Sequence, residues 1–437
     1  MRLISTIKDI FSIEELRSRI LNTIGFLIIF RVGSYILLPG LDYEAIKGQD
    51  SAGILGLIDN FLGGAFSNKS IFGLGIMPYI SASIIVQLLQ VAIPYFQRLQ
   101  KEGESGRNKI NQVTRVLTIG ICAFQSIGFL TTIPQEAILI DPTMFRVSSV
   151  FILISGTLFC MWLGEKITEK GIGNGISMLI MIGIISRLPA SFIAEILNKN
   201  VGGLLFILVE LIALFFIVVA TVVLIQAVRR IQVNYAKQVI GNKVYGGQRQ
   251  YLPLKVNAAG VMPIIFAQAL MFLPAMIANV WKEESELASS IGLTFSNYTS
   301  WQYNLLFAVL IIIFTFFYTA ITINPTQIAD DLKRNGGFIP GVKPGADTAS
   351  YIDVILSRIT FPGSIFIAIV AILPAFATMA GVTSQFAQFY GGTSLLIMVG
   401  VVLDTLQQID SFLLMKRYDG LTKGGRIKGR NAEIAVS

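Results

Sequence analysis

GIMPYISASIIVQLLQ, residues 75–90, is apolar enough to enter a bilayer, yet it is poorly suited to resting there. It carries Pro78 near its start, Ser81 and Ser83, Gln87, and isoleucines at 76, 80 and 84. Directly before it runs NFLGGAFSNKSIFGLG, residues 60–75, which is apolar and glycine-rich. The stub at 59–72 is about 14 residues, roughly 21 Å if helical, too short for a hydrocarbon core of about 30 Å. A short apolar stub followed by a serine- and glutamine-bearing helix is the pattern to be explained.

Working outward, the whole chain is of the same apolar kind. Of 437 residues, 54% are hydrophobic and 14% charged, with mean hydropathy +0.69. A soluble domain carries about 25% charged residues, so the chain is expected to be embedded in a membrane. Ten segments of spanning length are expected at 20–38, 73–96, 112–133, 147–166, 174–190, 203–228, 257–281, 301–323, 358–379 and 390–415. The fifth is the shortest. The amphipathic N-terminus, MRLISTIKDIFSIEELRSRI, lacks the short apolar core and small-residue cleavage site of a removable leader.

Charge suggests the orientation. With the N-terminus in the cytoplasm, 27 of the 34 lysines and arginines fall on the cytoplasmic side, which predicts both termini inside. Two of these basic loops are long, 226–256 and 324–358. Connections of that length are functional more often than incidental, and the Gly-Pro punctuation of GFIPGVKPG predicts ordered turns at a protruding tip. Topology signalling with attraction to anionic lipid, and docking of a cytosolic partner, are both open readings of this charge.

Ionisable residues inside the spans are few, and Arg31, Glu210 and Asp404 stand out. Arg31 and Asp404 lie near enough to span ends to snorkel to an interface, whereas Glu210 has no evident partner. Ion-coupled carriers show clusters of midplane carboxylates, and none is visible here. Histidine is absent altogether, which removes the commonest general base and metal ligand. Cys122 and Cys160 sit in apolar runs and read as small buried hydrophobes. GIGNG at 171–175 lacks the Gly-Lys-Ser/Thr ending of a phosphate loop, and no GxSxG, HExxH or CxxC occurs. No catalytic centre, metal site or cofactor is expected.

Several blocks then identify a family. GIMPYISASIIVQLL at 75–89, KEGESGRNKI at 101–110, MWLGEKITEKGIGNGIS at 161–177, VNYAKQ at 233–238 and YLPLKVNAAGVMP at 251–263 closely resemble the SecY/Sec61-alpha family. So do FFYTAITINPTQIADDLKRNGGFIPGVKPG at 316–345 and YGGTSLLIMVGVVLD at 390–404. The bacterial members form the channel subunit of the Sec protein translocase. The resemblance implies an all-α polytopic membrane fold, ten transmembrane helices in two pseudo-symmetric five-helix halves, an inverted repeat with a short re-entrant plug helix. It divides the chain into a cytoplasmic segment 1–19, an N-terminal half 20–200, a C-terminal half 201–415 and a basic tail 416–437.

The same resemblance assigns residues. It makes the stub the plug, with Asn60, Phe61, Leu62, Gly63, Gly64, Ala65, Phe66 and Ser67 at its centre. It places Ile76 and Ile80 of the second span, Ile176 and Ile180 of the fifth, Ile265 of the seventh and Ile397 of the tenth in a pore ring. A collar of apolar side chains dewets and resists ions, while an extended peptide can fill it. Gln87, Gln125, Ser126 and Gln268 are expected along a lateral gate between spans two and three and spans seven and eight. Ordinary interhelical hydrogen bonds are the open alternative for each.

Partners follow on the same footing. Lys243, Arg249, Lys333, Arg334 and Lys343 are expected to dock the SecA motor ATPase and the ribosome. Lys343 stands where the family usually has arginine, Asn242-Lys243 where a basic pair is common, and NPTQ at 324–327 where NPRE is frequent. The small membrane subunits SecE and SecG, signal sequences and unfolded client polypeptides, membrane lipids, SecDF and YidC complete the expected partners. The implied setting is the bacterial cytoplasmic (inner) membrane, and the implied activity is passage of unfolded secretory polypeptides across it, with lateral release of transmembrane segments into lipid.

Overall fold

Pro94 has no N–H to donate and cannot continue a helix, so the second span ends at Ala92 and restarts as Pro94–Lys101. The two pieces, Met77–Ala92 and Pro94–Gln100, are bent by 101° at the break. This computed structural model describes residues 11–46, 56, 59, 62–199, 203–235, 238–240, 243–245, 249–268, 270–271 and 297–424, apart from the side chains of 101, 204, 236–249 and 416–424. Within those ranges the chain is a helical membrane protein. The spans are Glu14–Gly33, Met77–Ala92, Glu104–Leu130, Pro142–Lys170, Gly175–Asn198, Leu204–Gln226, Trp301–Thr322, Ala346–Met379 and Gly392–Gly424. Of the expected seventh span, residues 262–268 and 270–271 are helical and 272–281 lie outside the described residues.

Seven of the described helices are long and apolar enough to cross a membrane, and the bent pair makes an eighth. The first helix falls short because it ends at Gly33, before the expected 38, while its start takes in Glu14, Glu15, Arg17 and Arg19. The fifth is longer than expected. It passes through Pro189 and reaches Asn198, which gives a segment of 24 residues where the sequence suggested 17. The ninth starts at Ala346, twelve residues before the expected bilayer entry, and runs through Pro362 and Pro374.

Helix entries are capped by short polar side chains. Asp141 Oδ2 accepts from Met144 N–H at 3.2 Å, Asn174 Oδ1 from Ile176 N–H at 3.1 Å and Ser300 Oγ from Tyr303 N–H at 3.3 Å. Within spans, hydroxyls bond backward: Thr114 to the Ile110 carbonyl at 2.9 Å, Thr118 to Thr114 at 2.7 Å, Thr315 to Ile311 at 2.7 Å. Each polar group is thereby satisfied inside its own helix, as an apolar solvent demands. Cys122 and Cys160 are buried and free.

Second packs on third, third on fourth, fourth on fifth, fifth on tenth, and eighth on ninth. GIGNG is where the fourth and fifth come closest. A Cβ at Gly175 would stand 1.9 Å from the Gly164 carbonyl oxygen, so only glycine fits. The Gly173 N–H donates to Gln408 Oε1 of the tenth span at 2.8 Å. The pentapeptide is a helix-entry loop that ties three spans together. Glu210, without a partner in the sequence reading, contacts Lys199; Lys199 also meets Glu195 at 2.9 Å, and Glu195 accepts from the Thr383 N–H at 2.9 Å.

The long loops hold strands as well as turns; the expected turns of GFIPGVKPG lie at 340–341 and 344–345. The alternation in VRRIQVNY makes a strand, β1 (Val228–Tyr235), followed by β2 (Gln238–Ile240), β3 (Lys243–Tyr245) and β4 (Arg249–Lys255). β5 (Gly337–Phe338) comes from the other long loop. The sheet order β4-β1-β5 joins the two loops, with Arg230 opposite Pro253 and Asn234 opposite Phe338. Pro253, lacking a donor, is tolerated because β4 is an edge. Ile231, Val233, Leu254, Leu332, Ile339, Ile352 and Leu356 form a separate apolar core beneath this sheet. The all-α expectation therefore describes the spans, and the loops add a small α/β platform.

Candidate functional site

A cavity lies among the spans, lined by Phe30, Leu62, Ile76, Met77, Ile80, Ser81, Leu179, Ile180, Ile265, Gln268 and Ile397. Five of the six expected ring isoleucines meet here, from the second, fifth, seventh and tenth spans. Ile76, Ile180 and Ile397 are buried, and Ile80 and Ile265 are partly so. The sixth, Ile176, does not line the cavity. It turns toward the fourth span, where a Cβ on Gly164 would lie 3.0 Å from its Cγ1, and it packs on the same apolar cluster from outside. Phe30 and Leu179 complete the lining. Neither drew attention in the sequence, because an aromatic and a leucine in an apolar span look like any lipid-facing residue.

Leu62 closes one wall of this cavity. It belongs to the stub, whose described residues 62–69 run as consecutive turns, with helical conformation at Gly56 and Asp59. Asn60 and Phe61 lie outside the described residues. A helix is not continued past this point because Gly63 (φ 62°) and Gly64 (φ 94°) take up left-handed backbone. Close approach also requires Gly63, since a Cβ there would stand 2.8 Å from Gly183 Cα on the fifth span. Leu62, Gly63, Gly64, Ala65 and Phe66 are all buried, and Ser67 is partly so.

Polar contacts hold the stub in place. The Ser67 N–H donates to Asp59 Oδ1 at 2.9 Å, and Arg187 contacts the other carboxylate oxygen of Asp59. Arg31 turns to the stub: its Nη1 donates to the Gly63 carbonyl at 2.9 Å and its Nη2 to the Tyr35 hydroxyl at 3.0 Å. Lys69 Nζ donates to Thr132 Oγ1 at 2.8 Å and sits over the rings of Phe66 and Phe129. Burial pulls the Lys69 ammonium down to about 8, with the nearby Asp59 charge acting in the opposite direction.

The expected lateral-gate residues are not joined across a seam. Gln87 Nε2 reaches Ser83 Oγ of its own helix at 3.4 Å, and Ser126 Oγ donates to the Ala123 carbonyl at 2.8 Å. Gln125 is half-buried on the third span, and Gln268 lines the central cavity instead. Of the expected docking residues, Lys333, Arg334 and Lys343 are exposed. Lys333 and Arg334 occupy the last turn of Pro325–Arg334, where cations complement the helix dipole. Lys343 lies on the turn before Ala346, its carbonyl accepting from Thr348 Oγ1 at 2.8 Å. Lys243 and Arg249 start β3 and β4, and their side chains lie outside the described residues. Among the described residues, no group of three potential metal ligands occurs.

Comparison with known proteins agrees with this architecture. The family model described as SecY matches residues 70–406. Protein translocase subunit SecY of Corynebacterium glutamicum is 41% identical over 442 residues, covering 96% of this chain and 100% of that protein. The Escherichia coli K12 protein of the same description is 42% identical over 440 residues, with 95% and 96% covered. A solved protein conducting channel superposes with a TM-score of 0.64 at 17% identity, covering 94% of this chain and 95% of that one. Sec61 in the canine ribosome-channel complex does so with a TM-score of 0.60 at 15% identity, with 94% and 95% covered. A kinship in sequence that runs nearly end to end, with this fold beneath it, has one meaning: the chain belongs to the SecY family.

Proposed function

We propose that the protein is a passive protein-conducting channel of the bacterial cytoplasmic membrane, with both termini in the cytoplasm and no catalytic centre. Unfolded polypeptides pass through the central cavity, and apolar segments leave sideways into lipid. The observation that carries this reading is the meeting of Ile76, Ile80, Ile180, Ile265 and Ile397 from four helices around one cavity, with Leu62 against them. Water and ions find no hydrogen-bonding partner on such a surface, whereas a peptide side chain finds dispersion contacts all round. The isoleucines form the gasket, and the segment 59–72 is the plug that fills it at rest.

A passive channel converts no energy of its own, so directional transport needs a motor. The basic platform is where SecA and the ribosome dock, through Lys243, Arg249, Lys333, Arg334 and Lys343. SecE and SecG are its small membrane subunits, and SecDF and YidC are further partners. Gln87, Gln125 and Ser126 lie along the exit seam, where weakly apolar surface keeps the closed state only marginally favoured.

Site-specific crosslinking of a stalled secretory chain tests the pathway. A photoreactive residue at Ile80, Ile265 or Ile397 should capture the client, and one at the outward-facing Ile369, 54% exposed, should not. Equal capture at Ile369, or none in the cavity, would remove the central path.

A further inference from the structure

The segment taken above as the plug is held by more than apolar contact. Asp59 is almost fully buried, 1% exposed, at a depth where an unpaired carboxylate is costly. One of its oxygens accepts from the Ser67 N–H at 2.9 Å, and the other meets Arg187 of the fifth span. Arg187 Nη2 also donates to Ser67 Oγ at 3.1 Å. From the opposite side, Arg31 of the first span donates to the Gly63 carbonyl at 2.9 Å. Two guanidinium groups on two different spans therefore grip one short segment at three points: a carboxylate, a hydroxyl and a backbone carbonyl.

Such a grip behaves differently from the apolar seat around it. Dispersion and burial fade gradually as a segment slides, whereas a charge-assisted hydrogen bond is directional and short-ranged. Moving the segment out of the cavity separates Asp59, 1% exposed, from Arg187, so the carboxylate must give up a charge partner before water replaces it. The contact raises the free energy of the first step of displacement. An apolar segment entering from the side works against it with a driving force proportional to the area it buries.

We propose that Asp59, Arg187 and Arg31 form an ionic latch that sets how apolar an incoming segment must be to open the channel, so that they determine which clients are accepted. This rests on the reading of residues 59–72 as the plug. Weakening the latch lowers the threshold, so segments too polar to open the parent channel gain entry. Strongly apolar segments already exceed the threshold and gain little.

The test uses the complete translocon in vesicles with two precursor clients, one with an intact leader and one whose leader carries a charged residue in its apolar core. Asp59→Asn and Arg187→Gln should each raise transport of the defective client about tenfold, with the intact client changed less than about twofold. The exchange variant Asp59→Arg with Arg187→Asp should restore discrimination, which a purely structural role for either side chain would not do. Should the exchange variant fail to accumulate, Arg187→Lys decides: it keeps the charge but loses the planar fork, so its discrimination should fall between the parent and Arg187→Gln. Parent-like discrimination in both Asp59→Asn and Arg187→Gln, at normal protein levels, overturns the latch. Deleting 60–70 separates the two ideas. If the deletion relaxes discrimination and the single changes do not, the latch fails and the plug stands; if the deletion also has no effect, the plug reading fails with it.

Discussion

Lys69 shows how one residue can report the position of a whole segment. Its ammonium lies between the rings of Phe66 and Phe129, bonded to Thr132 and close to Asp59. Burial lowers its proton affinity from the ordinary 10.5 to about 8, so the seated segment prefers the neutral amine and the displaced, hydrated segment the charged one. The displaced state therefore binds more protons between those two values, and the seated state gains stability as pH rises through that window. Resting ion leak should fall between pH 7 and pH 9.5 in the parent and stay flat in Lys69→Met. An equal slope in both proteins would assign the effect to other groups. Lys69 was visible in the sequence only as a basic residue in an apolar stub. Its partner Thr132 is 63 residues away, and no local pattern announces such a pairing.

At the scale of elements, the bent second helix and the loop platform differ in how much the sequence revealed. The expected span 73–96 runs unbroken through Pro94, whereas the structure breaks there because proline has no N–H to continue the helix. In the platform, the residues beneath the sheet come from both loops and from the start of the ninth span, so either loop read alone shows its turns but not the sheet that joins the two. The sheet gives the exposed cations a rigid base. Lys343→Glu reverses a charge on an exposed turn without touching Val233, Leu332 or Ile339 below it. Translocation driven by SecA should drop about tenfold, as expected for an opposed charge at a docking point, while resistance of the loops to protease stays at the parental level. Full translocation would deny the platform its role, and a protease-sensitive loop would show that the change had unfolded it instead.

For the whole molecule, hydropathy and positive charge made the membrane class and nearly all the spans legible, because the bilayer imposes length and apolarity on each helix separately. The central cavity was legible only through family resemblance. Isoleucines at 76, 180, 265 and 397 share no local pattern, and what distinguishes them is that four helices converge. Ile176 marks the limit of that transfer: one turn before Ile180, it packs behind the lining against Gly164. Contacts joining distant spans, such as Glu195 with Thr383 and Gly173 with Gln408, lie equally beyond sequence reading, although they tie the fifth span to later parts of the chain at both its ends. The most direct test of the gasket is ionic current through the purified translocon in planar bilayers, comparing the parent with a variant in which Ile76, Ile180, Ile265 and Ile397 are all replaced by serine. The account predicts a sustained resting current at least about tenfold above the parent, since hydroxyls would wet the constriction; a current indistinguishable from the parent's would contradict it.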